Sequence, residues 1–121
     1  MPKKSIDNRD RDERREDALR PCPYLGYDRD SLAMHLLSRG ACEIAETQFR
    51  RAIWLNPFEA MFKAHLAWCL YREGRHAEAQ TWITQALEQE PNNQEHQRIH
   101  RLIEQGLERL EAEHKPRQEA P

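Results

Sequence analysis

The chain has 121 residues, room for one domain with some length left over. Apolar residues make up 38% of it and charged residues 33%, so the core is modest and the surface heavily solvated. A formal net charge of −2 gives no overall attraction to nucleic acid or an anionic membrane, and no run of 18 apolar residues exists to cross a bilayer.

Residues 1 to about 20 mix Lys3, Lys4, Arg9, Arg11, Arg14, Arg15 and Arg20 with Asp7, Asp10, Asp12, Glu13, Glu16 and Asp17. Lys3 and Lys4 lead into charge rather than an apolar stretch, so no secretory leader is expected. So little apolar surface cannot offset the ordering entropy, which predicts a disordered or weakly helical stretch. Pro21-Cys22-Pro23-Tyr24-Leu25-Gly26-Tyr27 then forms an extended, oddly apolar arm, whose rings favour lying against the domain. Asp28 is the expected N-cap of a helix running to about Arg39, stopped by Gly40. Further helices are predicted from Cys42 to Leu55, from near Phe58 to Gly74, and from about His76 to Glu90. Asn56-Pro57 and Pro91-Asn92-Asn93 break the chain between them. A last helix, about Gln94 to Glu113, carries the stripe Ile99, Leu102, Ile103, Leu107 and Leu110. Lys115-Pro116 opens a frayed tail over 116–121. Cys22, Cys42 and Cys69 form an odd set without CxxC or zinc spacing, as in a chain of reduced thiols and cytoplasmic location.

The organising feature is a repeat. Leu32, Leu36, Gly40, Ala45, Phe49, Ala52 and Pro57 are answered 34 residues later by Leu66, Leu70, Gly74, Ala79, Ile83, Ala86 and Pro91. A period of this size is the signature of stacked helical units. These residues resemble the tetratricopeptide repeat (TPR) family, whose unit is an antiparallel helix pair. The glycines suit the turn within a pair, the alanines suit close helix crossings, and Phe49 and Ile83 fill the space between units. The likeness covers about residues 28–93. The early aromatic of the family pattern is replaced by Arg29 and Lys63, its Leu-Gly pair by Leu32-Ala33 and Leu66-Ala67, and its later Tyr by Leu36 and Leu70. It implies an all-α, right-handed solenoid of about five helices: a 1–27 tail with the 21–27 arm, then a domain over 28–115. Repeat 1 would span about 26–59, repeat 2 about 60–93 and a capping helix about 94–113.

The same resemblance implies that the first helices of each pair line a concave groove for a partner's peptide or helix. Carried onto this chain, that groove comprises Tyr27, Met34, Leu37, Met61, His65, Trp68, Tyr71 and Arg72. Positions that would form a two-carboxylate clamp for acidic C-termini hold Asp30, Met34, Met61, His65, Glu95 and Ile99 instead, so an apolar or amphipathic partner is expected. The helix from Ala60 to Tyr71 is apolar nearly all round, which calls for cover on both sides. Its Trp68 and Tyr71 could anchor a ligand or a second copy, pack on adjacent helices, or lie beneath the arm. The reading is a non-enzymatic adaptor, scaffold or small chaperone, with a self-assembling structural subunit as the alternative. Two repeats are few for an independent stack, which favours an oligomer or a subunit of a complex.

His96 and His100 stand four apart on one helix face, without an acid between them or a third ligand, and are read as solvated. His65 reads as a packing or hydrogen-bonding residue and Cys69 as a core hydrophobe. No catalytic residue, metal or cofactor is expected, and the acids interspersed among the arginines argue against a nucleic-acid stripe.

Overall fold

From Gly26 onward, glycine and proline punctuation separates the chain into segments that are each helical. In the computed structural model, which describes residues 10–114, the elements are α1 (Arg11–Leu19), α2 (Tyr27–Ser38), α3 (Cys42–Leu55), α4 (Ala60–Arg72), α5 (His76–Gln89) and α6 (Gln94–His114). No strand occurs among the described residues, so the protein is all-α. The charged residues before Asp10 and the tail expected over 116–121 lie outside the described part.

The sequence repeat reappears as repeated hydrogen bonding. Gly40 and Gly74 both adopt φ +83, and the amide of each donates to the carbonyl three residues back, Leu37 or Tyr71, at 3.0 Å. Ala41 N donates to Leu36 O and Arg75 N to Leu70 O, both at 2.9 Å, closing the two turns in the same way. Each turn folds a helix back on its predecessor, pairing α2 with α3 and α4 with α5. Between pairs, α3 packs on α4 and α5 on α6, while α2 also meets α4 and α4 meets α6. Phe49, Phe62, Leu37, Leu55, Leu66, Leu70, Ile83 and Ile103 are the large side chains sealed between these layers. Ala45, Ala52, Ala79 and Ala86 are fully buried where α3 and α5 cross their neighbours. At the turn end, Arg75 bonds Glu46, Glu73 and Glu78, and Arg50 bonds Glu46, tying α3 to the start of α5.

Several expectations need correction. Helix α2 begins at Tyr27 rather than after an Asp28 cap, because Gly26 (φ +94) makes the turn out of the arm. A Cβ at that glycine would sit 2.7 Å from Phe62 Cε2 and 3.0 Å from the Ala52 carbonyl oxygen. Leu32 occupies a repeat position whose counterpart Leu66 is fully buried, yet it is 44% exposed. Helix α2 is the first of the packed pairs, so that flank has no preceding pair to cover it. Helix α4 starts two residues later than expected, since the Phe58 amide is taken by Asn56 Oδ1 at 3.2 Å in the preceding turn.

Within the stretch expected to be disordered or weakly helical, α1 forms without a single buried residue. Asp10 caps it by accepting from Glu13 N at 2.7 Å. Ion pairs then hold it to the domain: Glu16 with Arg29 at 2.7 Å and Arg51 at 3.2 Å, and Asp17 with Arg51 at 2.9 Å. Arg20 stacks over the Trp54 ring at 3.8 Å. Hydrogen bonding to Arg29, opposed by burial and reinforced by Arg51, lowers the Glu16 pKa below its ordinary 4.5. A carboxylate with a depressed folded pKa contributes stability above its unfolded value, lost as pH falls through the folded one. Backbone NMR shifts of Arg11–Leu19 are therefore expected to move toward coil as pH drops below about 4.5. Glu16→Gln should produce the same change at neutral pH, with little effect on the core, since such pairs are worth only about 0–1 kcal/mol.

Candidate functional site

Residues three or four apart share a helix face, so the rows running through Met34 on α2, Met61 and His65 on α4, and Ile99 on α6 can form one surface. The predicted groove residues divide by environment. Met34 is 37% exposed and Tyr27 is 41% exposed. The Tyr27 hydroxyl donates to Glu59 Oε2 at 3.2 Å, and its ring meets Phe62 edge-on at 5.0 Å. Its phenol pKa is raised, by burial and then by the Glu59 carboxylate. Leu37 belongs to the core at 2% exposure; the expectation that it lines the groove is overturned, because α2 turns this position inward beneath the α2–α3 turn.

Trp68 and Tyr71 are only partly accessible. Their rings stack at 5.5 Å, and His76 of α5 meets Tyr71 edge-on at 5.1 Å. The His76 ring also lies against Gly106 of α6, where a Cβ would fall 2.6 Å from Nε2 and 3.3 Å from Tyr71 Cε2. The glycine is what lets α6 approach, and the two rings spend much of their surface on neighbouring helices. Arg72 is exposed and donates from Nη1 to the Leu37 carbonyl at 3.4 Å, joining the ends of α4 and α2.

The arm lies elsewhere. Cys22 N donates to Leu55 O at 3.0 Å, and Asn56 Nδ2 donates to the carbonyls of Pro23 (3.2 Å) and Leu25 (3.1 Å). It is thus fastened at the end of α3, leaving Tyr24 86% exposed. Asn56, almost fully buried, is a structural residue that the sequence reading passed over as a helix stop.

Between α4 and α6 opens a cleft of about 290 Å³ lined by Glu59, Met61, Ala64, His65, Glu90, Asn93, Glu95, His96 and Ile99. His65 Nδ1 donates to Asp30 Oδ1 at 2.8 Å, and that carboxylate is itself buried. His96 is the residue most misjudged from sequence: read as solvated, it is 3% exposed. Its amide donates to Asn93 Oδ1 at 3.0 Å, but its Nδ1 is buried with no hydrogen-bond partner, 3.9 Å from Glu90 Oε2. Burial lowers its pKa despite Glu90, Glu95 and Glu59 nearby, so the ring is neutral at pH 7. His100 instead sits half-buried, 3.3 Å from Glu104 Oε1, so the two histidines serve different neighbours. Among the described residues no three His, Cys, Asp or Glu side chains are grouped to hold a metal ion. Burial pushes the Cys69 thiol up to about 12, leaving it protonated and unreactive at neutral pH.

No protein-family model matches the chain, and no curated protein matches its sequence. Among the described residues no helix is long and apolar enough to cross a membrane.

Proposed function

We propose that this protein is a TPR-like solenoid that works as a protein-interaction module, taking an apolar or amphipathic segment of a partner along the face built by α2, α4 and α6. The observation that carries this reading is the contact of α2 with α4 and of α4 with α6. Alternate helices thereby share one continuous surface. On this reading, exposed Met34 and Tyr27, the accessible parts of Trp68 and Tyr71, and the α4–α6 cleft are assigned to that surface. The repeated turn bonding at Gly40 and Gly74 supports a solenoid arrangement, and since the Trp68 and Tyr71 rings are partly covered, we take exposed Met34 as the apolar anchor. Adaptor, scaffold or chaperone activity in the cytoplasm, without chemistry of its own, follows from that reading.

Peptides selected from a random display library against the immobilised full chain test it. Met34→Glu is expected to weaken the selected peptides by about tenfold or more, as for a truncated interface anchor, with helicity unchanged. Unaltered binding would reject the face. Self-association through the same surface is the second reading, favoured by the exposure of Met34 and Tyr27 together. It requires the sedimentation coefficient to rise with concentration and Met34→Glu to suppress the rise.

A further inference from the structure

The α4–α6 cleft combines an acidic rim with an apolar wall. Glu59, Glu90 and Glu95 stand at its rim, and no Lys or Arg lines it. Among the described residues neither Glu59 nor Glu95 is paired with a cation; Glu59 accepts from the Tyr27 hydroxyl, and Glu90 accepts from Asn93 Nδ2 at 3.0 Å with the neutral ring of His96 3.9 Å away. At the floor, His96 holds a buried Nδ1 that no protein group satisfies, although buried ring nitrogens ordinarily find a partner. Met61, Ala64 and Ile99 supply apolar wall between rim and floor. No three His, Cys, Asp or Glu side chains among the described residues are grouped as in a metal site, and an acidic rim beside an apolar wall suits an organic cation with an apolar stem. A lysine side chain has that form: three donors and no acceptor on the ammonium, behind four methylenes that bury well against apolar surface.

We propose that this cleft is a binding site for a lysine side chain of the partner segment. The methylene stem lies along Met61, Ala64 and Ile99, and the ammonium donates to His96 Nδ1 and to Glu90 Oε2, which lie 3.9 Å apart, with Glu59 and Glu95 adding negative charge at the rim. Charge-assisted bonds are short and strong, and a lysine here fixes the register of an otherwise apolar segment. The inference rests on the interaction-module reading for the source of the lysine, and the cleft itself is tested without it.

The probe is Nα-acetyl-lysine methylamide, titrated into the full chain and followed by amide and imidazole NMR shifts. Saturable shifts are expected at His96, Glu95 and Ala64, with the His96 Nδ1 resonance moving as it gains a hydrogen bond. Nα-acetyl-norleucine methylamide, which keeps the stem and lacks the ammonium, should leave the cleft unmoved. Glu90→Gln with Glu95→Gln should weaken the lysine probe about tenfold or more, the range for hydrogen bonds to charged groups. His96→Leu, which removes the acceptor at the floor and should also weaken the lysine probe, gives a second variant should the double change alter folding. No cleft shift with lysine, equal shifts with norleucine, or unchanged affinity in both variants would each overturn the site. Tighter binding of putrescine than of the blocked lysine would also overturn it, assigning the cleft to a free polyamine. Loss of the lysine signal alongside Met34-dependent peptide binding would remove this site and leave the module reading standing. The reverse result would do the opposite.

Discussion

Phe49→Ala is expected to lower the free energy of unfolding by about 3–5 kcal/mol, among the largest effects available from one side chain in this fold. Phe49 is fully buried on α3, and its ring centre lies 6.0 Å from that of His65 on α4. It therefore joins the first helix pair to the second, and truncation leaves a void that helices fixed by neighbours on both sides cannot close. Domains of this size are stable by roughly 5–15 kcal/mol, so the loss is a large share of the total. Urea denaturation followed by far-UV circular dichroism should show a much lower midpoint with one transition retained. Ile44→Ala on the same helix is the control: that side chain is 58% exposed, and its change should stay within about 0.5 kcal/mol. Equal effects at the two positions would mean that the pairs are not packed through Phe49.

The contrast between these two positions also explains what could be read from the chain. Phe49 and Ile83 were identified as inter-unit fillers because they repeat at one offset, and both are fully buried. Helix ends at Gly40, Gly74, Pro57 and Pro91 were legible because each obeys local backbone restrictions that no packing overrides. What escaped depends on neighbours distant in sequence. Leu37 looks like a groove residue by position, and only the depth at which α2 sits makes it core. His96 reads as solvated beside His100, yet it stands one period after Phe62, and that register was the available signal for its burial. The helix α1 had a signal too: Asp10 followed by Glu13 is the spacing of a capping box, here with the Asp10 carboxylate on the Glu13 amide. Its docking could not be read, since it depends on Arg29 and Arg51 meeting Glu16 from two other helices. Trp68 and Tyr71 were read as groove anchors, but Trp68 stacks on Tyr71, and Tyr71 is met by His76 and faces Gly106, whose approach no local pattern announces.

Asn56→Asp is expected to destabilise the native state by about 3 kcal/mol or more, although the two side chains have nearly the same shape. Asn56 is 1% exposed and uses its amide in both directions. Its Nδ2 donates to the carbonyls of Pro23 and Leu25, while its Oδ1 accepts from the Phe58 amide. A carboxylate keeps only the last of these. It sets an acceptor 3.2 Å and 3.1 Å from two carbonyl oxygens and buries a charge without a cation among its hydrogen-bond partners. The arm should therefore part from the end of α3, exposing the Gly26–Phe62 contact beneath it and freeing the carbonyl of Leu55 from Cys22. Asn56→Ala loses all three bonds but adds no charge and no repelling acceptor, and should fall below Asn56→Asp, at about 1–3 kcal/mol. Denaturant midpoints rank the two, and NMR shifts of residues 21–27 report the release directly. A drop in stability below about 1 kcal/mol for Asn56→Asp, with the arm shifts unmoved, would mean that the arm is held by something other than this side chain.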